Sequence, residues 1–596
     1  MSSATLHTPN AGAGSADSAS GSSQASAFKA WRPVITGRTH AVSTGHYLAT
    51  QAAFQVLEAG GNAIDAGVAA GLILGVVHSD QVNIAGVAPM IIWLADRQEL
   101  VTIDGVGVWP AAASCELFQQ QHGGEIPEGL LRTVVPAAPA AWIEALTRYG
   151  TMSFGDLAHY AIRFARDGFI MYPFLAEQLQ LVAAKNGRWP SNSAIYLPNG
   201  KVPHVGDLFV QADLARSLQY MVDEEKAALG KGADRLAGLR AARDAFYRGD
   251  LMRTITRFHA ENGGLLSERD MRDYRVKLAP TLSTTLGDLD VHSCGFWSQG
   301  PALLQAINIV KGFNLAALKH NSPAYVHHIA EALKLVFADR EKFYGDPDFI
   351  DVPQDMLLSE AYADERRKLV RSDRAWPELP PAGDGTQLCA TVSSDEQQDG
   401  PFDTSYVGIV DSKGNAISIN PSDVCSDTIV IPGTGLAPSS RGSQSWGDPR
   451  HPSSVAPGKR PRLTPNPVMV MKRGKVTMPI GSPGGDSQIQ AVLQVLLNMS
   501  LFGMDPQTAI EQPRFITYSH PDSFAPHPSF PGRLCLEGRF SADVADALSA
   551  LGHQVVMWPE RLWRAGGVCL VRADLERGVL EAGADPRRAA AYALGW

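Results

Sequence analysis

Thr404 is the residue in this chain best placed to do chemistry. A polar run at 393–401 leads into Phe402-Asp403-Thr404-Ser405-Tyr406-Val407-Gly408-Ile409-Val410-Asp411, which reads as a strand from Thr404 onward. A cut between Asp403 and Thr404 would leave Thr404 at a new N-terminus, on the first residue of a buried strand. One residue would then supply a hydroxyl nucleophile and an α-amine to act as its base. An α-amine titrates near about 7.7, so it can accept a proton at neutral pH. The β-methyl of threonine restricts χ1 and holds the hydroxyl on one trajectory. A second chemical stretch, Gly481-Ser482-Pro483-Gly484-Gly485-Asp486, precedes a helix that starts at Ser487. Its glycines let backbone donors approach a ligand, and Asp486 reads as the N-cap of a helix end that favours negative charge. Each stretch alone also fits an ordinary hairpin or an ordinary strand-to-helix turn.

Composition narrows the class. The chain has 596 residues, 45% hydrophobic and 19% charged, with a net charge of −9. That describes a globular protein with no electrostatic reason to bind nucleic acid. The longest apolar run, 66–77, is too short to span a bilayer and reads as a core helix. Residues 1–30 form a tail, rich in Ser, Ala and Gly over 1–27, with no basic start or apolar stretch of a signal peptide. Cys115, Cys294, Cys389, Cys425, Cys535 and Cys569 show no paired spacing. Free thiols and the missing signal both suggest the cytoplasm.

The elements that must position Thr404 follow from local pattern. Residues 46–58 have helical spacing and end at Gly60-Gly61, and Asn62 caps the helix that follows. Strands at 90–94 and 99–104 pair across Asp96-Arg97. The strand after Thr404 turns at Ser412-Lys413-Gly414-Asn415 into a partner at 416–419. A second hairpin, 468–479, turns at Arg473-Gly474. The middle of the chain is mostly helical. Its charged stretch at 215–253 reads as a solvated face, and 373–403 as a linker. His327-His328 with Glu331 has metal-compatible spacing but no evident third ligand, which favours a helix-surface cluster. Ser482 lacks the Gly-x-Ser-x-Gly spacing of a nucleophile elbow.

Gly60-Gly61-Asn62-Ala63-Ile64-Asp65-Ala66 with Leu74-Gly75-Val76-Val77 resembles the N-terminal signature of the γ-glutamyltransferase family. Blocks at 133–136, 245–249, 330–340 and 345–347 are similar to that family too, as are Gly481 to Asp486 and Gly583-Ala584-Asp585-Pro586-Arg587. The resemblance covers roughly 35–596. It implies an α+β fold of the N-terminal-nucleophile hydrolase type, a four-layer αββα sandwich. A precursor would cut itself into chains 31–403 and 404–596, folded together as one unit that could pair as a dimer of heterodimers. It also implies Thr404 as the nucleophile, Gly484 and Gly485 as oxyanion donors, and Ser422, with Asn420 as the nearby alternative, steadying the hydroxyl. No cofactor and no metal is implied.

The glutamate head-group positions depart from the family's pattern. Val106 stands where the family has an arginine, Gln444 where it has an acid, and Leu463 and Thr464 where it has paired serines. An Arg-to-Val change removes a bidentate carboxylate partner worth roughly 2–5 kcal/mol when buried. Arg441 could offer a carboxylate partner from the other side, or be a loop arginine bonding carbonyls. The expectation is a self-processing amidohydrolase or acylase on a small-molecule amide other than a standard γ-glutamyl compound. Two alternatives stay open: γ-glutamyl transfer or hydrolysis, and an unprocessed binding homologue.

Overall fold

The computed structural model describes residues 29–387 and 403–596. The first 28 residues of the expected tail at 1–30, the approach at 388–402 and Cys389 lie outside the described residues. The other five cysteines are free.

Local signals set the frame. Asn62 caps Ala63–Val77 through a capping box with Asp65, and every residue of that helix is buried. Asp411 organises the turn after Val407–Val410, accepting from the backbone of Lys413 (2.9 Å) and Asn415 (3.0 Å). The second hairpin turns on Arg473 (φ 52°) and Gly474 (φ 72°), the left-handed pair that a two-residue hairpin needs.

Two antiparallel seven-stranded sheets face each other. The first runs Tyr592–Gly595, Ala41–Thr44, Val407–Val410, Ala416–Ile419, Met90–Leu94, Glu99–Ile103, Leu278–Ala279. The second runs Ile35–Gly37, Val579–Ala584, Cys569–Asp574, Lys475–Gly481, Val468–Lys472, Leu289–Ser293, Leu282–Leu286. Helices Tyr47–Glu58 and Ala63–Val77 cover the first sheet. Gly300–Val310, Ser487–Phe502 and Pro506–Glu511 cover the second. The strand period of two sorts the cores: Met469 and Met471 join the core shared with the first sheet, while Val468 and Val470 join the core under the helices. This is the four-layer αββα sandwich of the N-terminal-nucleophile hydrolases.

Both sheets combine strands from before and after residue 403. The strand Val407–Val410 pairs with Ala41–Thr44 on one side and with Ala416–Ile419 on the other, which in turn pairs with Met90–Leu94. A cut at 403–404 would therefore leave two interleaved chains holding one core.

Two local expectations need correction. Regular pairing begins at Val407, three residues beyond Thr404. Asp486 occupies the N-cap position of Ser487–Phe502 but its side chain caps nothing. A buried arginine and serine claim it instead.

Candidate active site

The hairpin that follows Thr404 is clamped on both sides, so the residues before it are held too. Ser405 N–H donates to Pro421 C=O (2.9 Å) and Gly45 N–H to Tyr406 C=O (3.0 Å). Thr404 N–H donates to Gln81 C=O (2.9 Å). Between these anchors Thr404 adopts φ 87° and is fully buried. A β-branched residue is strained there by about 1–3 kcal/mol, and the strain lies on the Asp403–Thr404 linkage.

Three side chains meet the Thr404 hydroxyl. Ser422 Oγ lies 2.6 Å from Oγ1, and Oγ1 donates to Asp403 Oδ1 at 3.1 Å. In the amide orientation its neighbours favour, Gln488 Oε1 lies 3.3 Å from Thr404 Oγ1, a second acceptor for its single proton. Gln488 Nε2 then donates to the carbonyls of Ser482 (3.1 Å) and Thr464 (3.2 Å). Asn420 points elsewhere, donating to Ser482 C=O at 3.0 Å, so of the two candidates Ser422 is the one on the hydroxyl. Ser422 is braced by reciprocal backbone bonds with Val87 (3.2 and 3.0 Å). Beside that bridge, a Cβ on Gly86 would sit 2.3 Å from Ser422 C=O, so only glycine fits.

Gly484 completes the geometry. Its φ is 118°, Gly485 has φ 56°, and the Gly484 N–H donates to Asp403 C=O at 3.2 Å. A backbone donor thus already rests on the carbonyl of the linkage that bears Thr404.

Arg441, 1% exposed, lies on the other side of Asp403. Its Nη2 donates to Asp403 Oδ2 and to Ser422 Oγ (2.5 Å), and Nε stands 3.6 Å from Asp423 Oδ2. Phe524 stacks under the guanidinium at 5.5 Å. Asp423 is held by Ser439 (2.5 Å) and Ser440 (2.7 Å). Burial pushes both Asp403 and Asp423 above the usual carboxylate range, with Arg441 opposing it. Asp403 is therefore a stronger proton acceptor than a surface aspartate.

The remaining expected contacts divide. Gln444 and Thr464 satisfy each other, Gln444 Nε2 donating to Thr464 Oγ1 at 2.9 Å. Leu463 is a backbone partner of Trp297 (2.9 Å) and Gln299 (2.8 Å). Val106 lies in the apolar core, its carbonyl accepting from Tyr274 Oη at 2.8 Å. Of the expected head-group set, Arg441 reaches the Thr404 cluster through its side chain, bonding Ser422 and Asp403, and Thr464 reaches it through its carbonyl, which accepts from Gln488.

Sequence reasoning missed what holds the glycine turn. Arg340 pairs with Asp486, which also accepts from Ser523 N–H (2.8 Å) and Oγ (2.7 Å). Burial works against a charged Asp486, but Arg340 and His520 outweigh it and keep its pKa low. Gln299 Nε2 donates to both Thr464 C=O and Gly485 C=O at 2.9 Å. The ADR triplet at 338–340, charged on an otherwise buried helix, was the available signal for Arg340.

The His327 cluster is not on a helix surface. His327, Glu331 and His553 are buried, with ligand-capable atoms within 4.8 Å of one another, so a third partner does exist. The Lys334 ammonium already sits 2.7 Å from Glu331, and His327 bonds His553 at 2.9 Å. These residues tie down the segment beyond the helix: His327 meets Arg371 C=O (2.6 Å) and Glu331 takes Trp376 N–H (2.9 Å). Among the described residues, no helix is long and apolar enough to cross a membrane.

Residues 49–595 match the family described as Gamma-glutamyltranspeptidase. The Acylase ACY 1 proenzyme of Pseudomonas sp. (strain SE83) is 32% identical over 545 residues, covering 89% of this chain and 90% of that one. The Glutathione hydrolase-like YwrD proenzyme of Bacillus subtilis (strain 168) is 28% identical over 568 residues, 93% of this chain and 98% of that one. The crystal structure of cephalosporin acylase from Bacillus halodurans superposes with a TM-score of 0.82 at 28% identity, covering 96% of this chain and 98% of its own.

Proposed function

This chain belongs to the gamma-glutamyltranspeptidase family, and we propose that it is a self-processing hydrolase of small-molecule amides with Thr404 as its nucleophile. The observation that carries the reading is the convergence at one bond. The Gly484 N–H rests on the Asp403 carbonyl, and Ser422 and the Asp403 side chain hold the hydroxyl of Thr404 on the other side of that bond.

The chemistry runs in two stages. In the first, Thr404 Oγ1 adds to the Asp403 carbonyl carbon while Asp403 Oδ1 takes the hydroxyl proton. The oxyanion is held by the N–H groups of Gly484 and Gly485, each such donor being worth roughly 3–4 kcal/mol in the transition state. The C–N bond breaks as its nitrogen takes that proton back from Asp403, becoming the free α-amine of Thr404. Water then cleaves the ester, leaving Asp403 as a C-terminal carboxylate and Thr404 as an N-terminus. In the second stage the free α-amine takes the proton from Oγ1 as the hydroxyl attacks a substrate amide. The proton passes to the departing amine, and water hydrolyses the acyl-enzyme.

A γ-glutamyl head group is disfavoured by the residues at its expected contacts. Val106 is apolar, and Gln444 and Thr464 pair with each other, leaving that set without an acid for an ammonium group. The decisive experiment is the intact mass of the purified protein beside Thr404→Ala. The expected result is two chains splitting between Asp403 and Thr404, with the variant remaining whole. A wild-type chain that stays single on long incubation would overturn the hydrolase reading.

A further inference from the structure

Asp403 does more than mark the cut. Its carbonyl occupies the position that a substrate's acyl carbonyl must occupy, against Gly484 N–H (3.2 Å) and beside Thr404. Its Cα and side chain therefore trace the path that a substrate's acyl chain would follow. Two carbons beyond the carbonyl, that path ends in a carboxylate paired with Arg441. We infer that the mature site selects acyl groups with a carboxylate two carbons from the reacting carbonyl, the succinyl pattern, and that Arg441 reads it. This inference rests on the nucleophile assignment to Thr404.

Three features support it. Arg441 is buried, and once Asp403 departs the one acid left within 4 Å of the guanidinium among the described residues is Asp423, at 3.6 Å from Nε. A buried cation stripped of a partner is costly, so the vacated place favours an anion. Arg441 Nε and Nη1 also make no hydrogen bond among the described residues, so donors remain for a second carboxylate oxygen. And the oxygens of Asp423 are already taken by Ser439 and Ser440, which leaves it poorly placed to receive the ammonium of a γ-glutamyl chain. The step is balanced as before. Thr404 Oγ1–H adds to the succinyl carbonyl, the C–N bond breaks and the amine leaves with the proton. Water then cleaves the ester, releasing succinate and restoring the hydroxyl.

The test compares succinyl-p-nitroanilide with succinamoyl-p-nitroanilide, its neutral isostere, on processed wild-type enzyme. Acetyl, glutaryl and γ-glutamyl anilides complete the panel. The expected result is a kcat/KM roughly 30- to 100-fold higher for succinyl than for succinamoyl, the worth of a buried charged contact. In Arg441→Met that ratio collapses. Should this variant fail to process, competition on the wild type decides instead: succinate inhibits at concentrations where butyramide does not. Equal turnover of the succinyl and succinamoyl anilides, or equal inhibition by succinate and butyramide, would overturn the inference while leaving the amidase reading intact. A cleaved enzyme that hydrolyses no anilide in the panel would instead bring down the amidase reading, and this inference with it.

Discussion

Thr404 has two sides, and they are built differently. On the hydroxyl side the groups that touch Thr404 and its linkage are paired: Ser422, Asp403 and Gln488 on Oγ1 and Gly484 on the carbonyl, while Arg441 behind them bonds Asp403 and Ser422 through Nη2 and keeps Nε and Nη1 without a hydrogen bond among the described residues. On the amine side Thr404 N–H has Gln81 C=O, but the groups beyond it are unsatisfied. Asp80 Oδ1, both ring nitrogens of His78, and Nε and Nη2 of Arg588 are buried without a hydrogen bond among the described residues. On the proposed mechanism this asymmetry follows from timing. The hydroxyl side must act on its own chain before the cut, so it is complete in the continuous protein. The amine side works only afterwards, when an amide N–H has become an amine with more protons to share.

Breaking the hydroxyl side should give the largest effects. Thr404→Ala removes cleavage and turnover together, whereas Thr404→Ser keeps both but slows them by about tenfold, since serine loses the χ1 restriction. Mass spectrometry and anilide turnover report each. Asp403→Asn comes next. It removes the proton acceptor for the first stage, and cleavage should slow by roughly 10²–10⁴. Once cut, its hydrolysis rate should return to that of the wild type, because residue 403 then belongs to the departed chain end. A variant that cleaves at the normal rate would remove Asp403 from the mechanism.

Arg340→Met acts one step further out. It leaves Asp486 buried and unpaired beneath the glycine turn, so stability should fall by roughly 3–5 kcal/mol. Misplaced Gly484 and Gly485 donors should lower kcat by up to about 10²-fold with less change in KM. Urea unfolding and steady-state kinetics separate the two effects. A stability loss with kcat intact would make the pair purely structural.

How much of this could be read from the chain depends on the range of each interaction. Asn62 with Asp65, the Asp411 turn and the Arg473-Gly474 turn are local, and their residues announce them. Thr404 was legible because composition changes abruptly at that point, although pairing starts only at Val407. Arg441 was a candidate carboxylate partner, yet nothing local shows that its carboxylate is Asp403, thirty-eight residues back. The pairs Arg340–Asp486 and His327–His553 span 146 and 226 residues and exist only because two layers pack. Gln444 and Thr464 show the converse: the resemblance set them at substrate contacts, and only the fold reveals that they also bond each other.

The smallest expected effect lies on the amine side, and it concerns pH rather than rate. Burial raises the Asp80 carboxyl to about 7 from an unfolded value of 3.8, against the opposing pull of Gln81 and Arg588. Between those two values the folded chain binds more protons at Asp80 than the unfolded chain does. Stability therefore falls as pH rises from about 4 to about 7, the sign opposite to that of a salt-bridged aspartate. Asp80→Asn cannot titrate, so its unfolding midpoint should change less between pH 5 and pH 8, with a relative gain of a few kcal/mol at the upper end. Cleavage at pH 5, where Asp80 is already neutral, should match the wild type. If the variant instead blocks cleavage at every pH, Asp80 belongs to the machinery of the first stage, and the division between a completed hydroxyl side and a waiting amine side fails.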